Sequence, residues 1–164
     1  MALPDMVPPA APHREHRLTY TDGTSRTVYV TDIEVPFPEG RLIVSRTDLN
    51  GIITHANDAF VEMSGWSREE LIGAPHHILR HPDMPKVAFK GLWDDLAARK
   101  KWHGYVKNLR KDGSFYWVYA TAVPNIRNGE VVGYTSVRRK PSRTRIAELE
   151  PVYRQWLAEE KAAS

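Results

Sequence analysis

One short run concentrates most of the polar chemistry in this sequence. Arg80-His81-Pro82-Asp83 sets a permanent cation, a titratable imidazole and a carboxylate side by side, with His76 and His77 just before it and His103 beyond. Arginine and histidine in such a run can hold phosphates or ring carbonyls of a bound molecule, and histidines can ligate a metal or a haem. The same residues also have a reading without any ligand: Asp83 suits a helix N-cap, and Arg80 suits a partner for it. His77 and His81 stand at i and i+4, the spacing of a helical metal pair. However, Pro75 and Pro82 pin the segment, the position before a proline disfavours helix, and no third ligand is evident. A haem needs only one axial histidine, but the helix expected over 84–99 contains none. With no cysteine, the chain has no disulfides, thiolate nucleophiles, zinc fingers, iron–sulfur clusters or cysteinyl–flavin adduct. Ser64 and Ser114 lack an obvious base, and neither GxSxG nor a P-loop occurs, so no enzymatic turnover is expected.

Four further residues are candidates with two readings each. Trp93 falls on the apolar stripe Phe89, Leu92, Trp93 and Leu96, which makes it a core residue; Trp102, just before a strand, reads as a packed lid. An indole can equally stack on a flat ring system. Asn57 caps a short helix, and its amide could also serve a pocket. Asn108 lies on a strand, where asparagine is disfavoured, and an inward amide could meet a ring with donor and acceptor edges.

The elements that must position these residues follow from patterning. Pro4, Pro8, Pro9 and Pro12 make residues 1–14 a loose polyproline-like arm, and Val28, Val30 and their neighbours suggest one added strand. Strands over 41–47 and 52–55 flank Asn50-Gly51, a hairpin turn. Asn57 and Ser67-Arg68-Glu69-Glu70 open two short helices closed by Gly65 and Gly73. One helical turn precedes Pro82, and Asp83 then caps a longer helix. Three strands, 103–110, 114–123 and 130–139, are joined through Asp112-Gly113 and Asn128-Gly129. A helix over 142–161 carries Ile146, Leu149, Tyr153, Trp156 and Leu157 on one stripe, and Pro151 is expected to kink or split it. This order predicts an α+β fold: a five-stranded antiparallel sheet with short helices and one longer helix on one face, and a pocket between the layers.

The chain has 164 residues, 41% hydrophobic and 26% charged, enough for one domain with extensions. The divisions expected are an N-terminal extension (1–40), a central domain (41–140) and a C-terminal helix or linker (141–164). Its net charge of +3 is unevenly spread, with 3 basic and 6 acidic residues in 1–40 against 16 and 10 in 41–140. The central excess suits an acidic partner or a phosphate-bearing cofactor, and no recognition-helix pattern supports nucleic acid. No apolar run is long enough to span a membrane and no signal-peptide core is visible, so a cytoplasmic location is expected. Arg138-Arg139-Lys140 reads as a solvated strand end or a docking patch.

Several of these segments resemble a known family. Thr47-Asp48-Leu49, Ile53-Thr54-His55-Ala56-Asn57-Asp58-Ala59-Phe60 and Ser64-Gly65-Trp66 look like the start of a PAS domain, and 107–118 resembles its C-terminal strand pair. The run 75–86, with Ala88-Phe89 and Trp93, is similar to the PAS sensor of bacterial aerotaxis receptors, which bind FAD. The resemblance implies a PAS fold, noncovalent FAD, and redox or oxygen sensing in aerotaxis or energy taxis. The signal would pass through contacts with a chemoreceptor or kinase signalling domain, or through a homodimer. It places Arg80, His81, Trp93 and Trp102 at the flavin, with Asp83 orienting Arg80, and makes Asn57 and Asn108 further cofactor-binding candidates. A cofactor-free interaction module and a haem-binding sensor are the alternatives.

Overall fold

A computed structural model of the chain describes residues 3–163. Two strands, β1 (Arg14–Thr19) and β2 (Ser25–Val30), form a separate antiparallel hairpin. One added strand was expected here. The turn explains the second: Asp22 Oδ1 accepts from the Thr24 amide, Tyr20 N–H donates to the Thr24 carbonyl at 2.8 Å, and the chain folds back on itself. β2 turns Arg26, Val28 and Val30 into the body of the protein, while β1 stays largely exposed. Beyond the hairpin, residues 31–35 run parallel to the start of a central strand through Thr31 N–H to Gly113 O, Phe115 N–H to Ile33 O and Val35 N–H to Phe115 O.

The main sheet is antiparallel with the order β4-β3-β7-β6-β5. β3 (Ile43–Thr47) and β4 (Ile53–Ala56) are joined by a turn in which Asp48 Oδ1 accepts from the Asn50 and Ile52 amides, and Gly51 takes the positive φ the turn requires. α1 (Asp58–Ser64) starts on the Asn57 cap, and α2 (Arg68–Leu71) on a complete Ser67/Glu70 capping box. A 3₁₀ turn spans His76–Leu79.

The longer helix expected over 84–99 does not form. That stretch holds a 3₁₀ turn (Lys86–Phe89), then Gly91 at φ 84°, then α3 (Leu92–Ala97). Pro85 and Gly91 divide it, so Asp83 caps nothing, and Asp83 and Trp93 do not share a helix axis. Trp93 is correspondingly not core: it is 57% exposed, edge-on to Tyr134, while Leu96 supplies the buried contact.

β5 (Trp102–Leu109), β6 (Phe115–Arg127) and β7 (Glu130–Arg139) complete the sheet. Alternation along β6 sends Tyr116, Val118 and Ala120 to the face that packs on α1, and Phe115, Trp117 and Tyr119 to the other. Across that second face lies α4 (Arg143–Ala163), docked by Ile146 and by Tyr153, which stacks on Trp117 and donates its hydroxyl to the Tyr105 carbonyl at 2.8 Å. α4 continues through Pro151 rather than splitting there. Apolar contacts lie on both sides of the proline, so the lost N–H bond does not break the element. No helix among the described residues is long and apolar enough to cross a membrane.

Candidate functional site

The α1-facing side of the sheet holds an arginine that the sequence reading placed in solvent. Arg138 on β7 is 2% exposed, because Tyr134, Ser136 and Arg138 alternate inward while Val137 points away. Its guanidinium donates from Nη2 to Ser45 Oγ at 2.9 Å and from Nη1 to Ser136 Oγ at 3.0 Å. It also reaches His76 Nε2 at 3.2 Å and lies over the Phe60 ring, 4.6 Å from its centre. No carboxylate pairs with it among the described residues, and burial pulls its pKa down to about 10, so the cation persists at neutral pH.

An arginine can only donate, so His76 presents a lone pair at Nε2 and carries its proton on Nδ1. Burial, reinforced by the Arg138 charge, lowers the His76 pKa to about 3 and keeps the ring neutral. Beside this cluster Tyr116 is fully buried, its pKa pushed up to about 12 by burial, so it remains a phenol. Arg138 Nε and the Tyr116 hydroxyl are buried without a hydrogen-bond partner among the described residues. Asn108 faces Tyr116 across the β5–β6 pair and is 6% exposed. Further along the same face Gly104 lies opposite Ala120, and the Trp102 ring folds back over Gly104 so closely that a Cβ there would overlap it. Phe89 stacks against Trp102, with ring centres 6.2 Å apart. The result is a narrow inner slot floored by small residues and filled in this structure by the Trp102 ring. At one end of it lie the Arg138 Nε–H and the Tyr116 hydroxyl, two donors without a partner among the described residues.

The Arg80–Asp83 run sits at the β5 edge rather than on this floor. Arg80 pairs with Asn108 through the main chain, donates from Nη2 to the Met84 carbonyl at 2.7 Å, and lies over Phe89. His81 is fully buried: its Nδ1 accepts from the Asp83 amide at 3.0 Å, and its Nε2 has no partner among the described residues. Burial, with Lys107 adding repulsion, lowers its pKa to about 3. The Asp83 carboxylate meets Lys107 Nζ at 2.9 Å, in a recess of about 60 Å³ that α4 closes with Tyr153 and Arg154. Asn57 is a working cap with structural partners at both amide atoms: Oδ1 accepts from Phe60 and Val44, and Nδ2 donates to the Leu42 carbonyl.

The fold thus brings Asn108 and Trp102 to the inner slot, gathers Arg80, His81 and Asp83 at its border, and leaves Asn57 and Trp93 apart. Arg138, His76, Ser45 and Tyr116 were missed as a set. The readable signal was the alternation of β7, which puts Arg138 on the same side as Ser136. Among the described residues no group of three or more candidate ligands could hold a metal ion.

Residues 53–138 match the PAS fold family. The chain is 48% identical to the aerotaxis receptor of Escherichia coli over 126 residues, 77% of this chain and 25% of the receptor. It is 28% identical to the nitrogen fixation regulatory protein of Klebsiella pneumoniae over 102 residues, 62% of this chain and 21% of that protein. It therefore spans about a quarter or less of these relatives' length. Among solved structures, the light state of the Aureochrome1 LOV photoreceptor superposes with a TM-score of 0.58 at 20% identity, covering 73% of this chain and 91% of that one. With a family match over more than half its length and a fold that superposes on a solved LOV domain, this chain belongs to the PAS fold family.

Proposed function

We propose that this PAS domain is a redox-responsive sensor that holds FAD noncovalently in the inner slot and signals through protein contacts in aerotaxis or energy taxis. The observation that carries the reading is Arg138: a buried cation with only neutral partners and an unpartnered Nε–H, next to a buried phenol that the Asn108 side chain adjoins. A ring with an electron-rich polar edge suits those donors better than any side chain present. The likeness to the E. coli aerotaxis receptor supports the sensory part. A solved LOV domain studied with a flavin analogue shares the fold, with a TM-score of 0.56 at 22% identity.

A bound flavin supplies a reducible, visibly absorbing ring whose polar edge becomes more electron-rich on reduction. The chain's residues do the rest. Arg138 and Tyr116 would donate to that edge, and Asn108 would add an amide with both a donor and an acceptor. Neutral His76, with Ser45 and Ser136, fixes the guanidinium without neutralising it. Trp102 and Phe89 exclude water and supply flat surface. Arg80, His81 and Asp83 hold the bordering turn, and through Lys107 and α4 they connect the slot to the opposite face of the sheet. Asn57 acts indirectly, by tying α1 to β3. Trp93 lies apart from the slot, exposed on α3, and would contribute only an indole surface on which an adenine could stack.

The test is a visible absorption spectrum of the purified full chain, before and after dithionite. Flavin bands that bleach on reduction are the expected result. A colourless protein that FAD does not reconstitute would overturn the proposal, and a Soret band would replace FAD by haem.

A further inference from the structure

The N-terminal hairpin leaves one strand edge open. Tyr20 N–H donates to the Thr24 carbonyl, which makes Tyr20–Thr24 a hydrogen-bonded pair, and bonded and non-bonded pairs alternate along an antiparallel ladder. In the register from Arg14↔Val30 to Thr19↔Ser25, Arg14, His16 and Leu18 therefore turn their backbone groups toward β2, while Glu15, Arg17 and Thr19 turn theirs outward. β1 pairs with no other strand, and among the described residues no backbone hydrogen bond reaches its outer edge. Open edges invite further strands unless charge or shape prevents it.

Among registers centred on the middle of the strand, residues 15 to 17, the charges favour one. A second β1 can add antiparallel about a two-fold axis only in registers that set outward residues opposite outward residues. An axis at position 15 puts Glu15 opposite Glu15, and an axis at 17 puts Arg17 opposite Arg17; both juxtapose like charges. An axis at His16 puts Glu15 of each copy opposite Arg17 of the other. Both side chains lie on the solvent face of the hairpin, as their cross-strand neighbours Tyr29 and Thr27 do. The Glu15 carboxylate has no ion-pair or hydrogen-bond partner within the chain among the described residues, whereas the Arg17 guanidinium is turned across the hairpin onto β2, donating to Thr27 Oγ1 at 3.1 Å and Ser25 Oγ at 2.9 Å, and would exchange these neutral hydroxyl partners for the Glu15 carboxylate when a second copy adds at the open edge.

We propose that this edge is a homotypic interface: two copies pair through β1, antiparallel and centred on His16, merging their hairpins into one four-stranded sheet. The two Glu15–Arg17 positions supply about four backbone hydrogen bonds and two cross-strand ion pairs. The proposal does not depend on what the inner slot binds.

Sedimentation velocity of the full chain over a concentration series tests it. The wild type is expected to shift toward twice 18.7 kDa as concentration rises. E15R and R17E should each weaken association at least about tenfold, because each sets like charges at both positions. An equimolar mixture of the two should associate again, since every cross-strand pair is then of opposite sign, and the double variant E15R/R17E should self-associate. Far-UV circular dichroism confirms that the hairpin survives. E15R is the decisive single change, because it leaves the Arg17 bonds to Thr27 and Ser25 in place. A wild type that stays monomeric, an E15R chain that associates like wild type, or a mixture that fails to recover association would each overturn the proposal.

Discussion

Replacing Arg138 by methionine separates binding from stability in a way few substitutions can. Holding the guanidinium at a pKa of about 10 instead of 12.5 corresponds to about 3 kcal/mol against the charged form in the folded state. Arg138→Met removes that penalty and keeps most of the buried stem. Against it stand the lost bonds to Ser136 and Ser45, about 1–2 kcal/mol, and the lost contact over Phe60, about 1 kcal/mol. Ser45 Oγ and His76 Nε2 already lie 3.2 Å apart and can satisfy each other. The cofactor-free variant should therefore unfold in urea within about 1 kcal/mol of wild type. Flavin binding should behave differently, because the ring loses a charged donor worth about 2–3 kcal/mol, a roughly 30–150-fold rise in Kd. Urea melts of the apoprotein and a fluorescence titration with FAD measure the two effects. A variant destabilised by 3 kcal/mol or more would make Arg138 a structural post, and one with unchanged flavin affinity would remove it from the site.

Acid should destabilise the chain early. His76 and His81 both sit near pKa 3 when folded against 6.5 when free, so the unfolded state takes up the extra protons and stability falls as pH drops from 6.5 toward 3. At pH 5 each histidine accounts for about 2 kcal/mol, measurable as a falling urea midpoint; a flat profile between pH 7 and 5 would contradict the neutral assignments. Gly104→Ala forces the Trp102 ring off its seat, at a cost of about 1–3 kcal/mol and a red-shifted tryptophan emission. Trp93→Ala, at an exposed position, should cost less than about 1 kcal/mol where a buried tryptophan would cost about 3–5, so a large drop in Tm would show that α3 packs differently. Arg80→Ala should stay folded, lose about 1–2 kcal/mol through the Met84 and Phe89 contacts, and retain flavin poorly; stoichiometric flavin in that variant would exclude Arg80.

Local signals in the sequence carried the sheet. Gly51, Gly113 and the Asn57 and Ser67 caps act over a few residues, and each stands where its chemistry requires. The 84–99 segment was misread because a helical stripe of Phe89, Leu92, Trp93 and Leu96 persists across Gly91, where the backbone breaks. The stripe records which residues would share a face if the helix were continuous, which it is not. For Arg138 the composition misled: three consecutive cations look solvated, but strand alternation buries the first and exposes the other two. Its neutral shell comes from β3, β7 and the His76 turn, distant in sequence, so the buried cation becomes visible only in three dimensions.

The sheet order carries a consequence for how the protein is made. β7 lies between β3 and β6 and supplies Arg138, yet it is the last strand in the chain; β3, its neighbour, ends some 80 residues earlier. During synthesis the β3–β4 hairpin waits with an unpaired edge and the slot lacks its cation until β7 has left the ribosome, a long-range closure that is intrinsically slow. Any ligand of the slot could then act on folding only late, by trapping the chain once β7 has inserted. A chain ending before Glu130 would be an open half-sheet with an exposed edge, prone to pairing with its own kind.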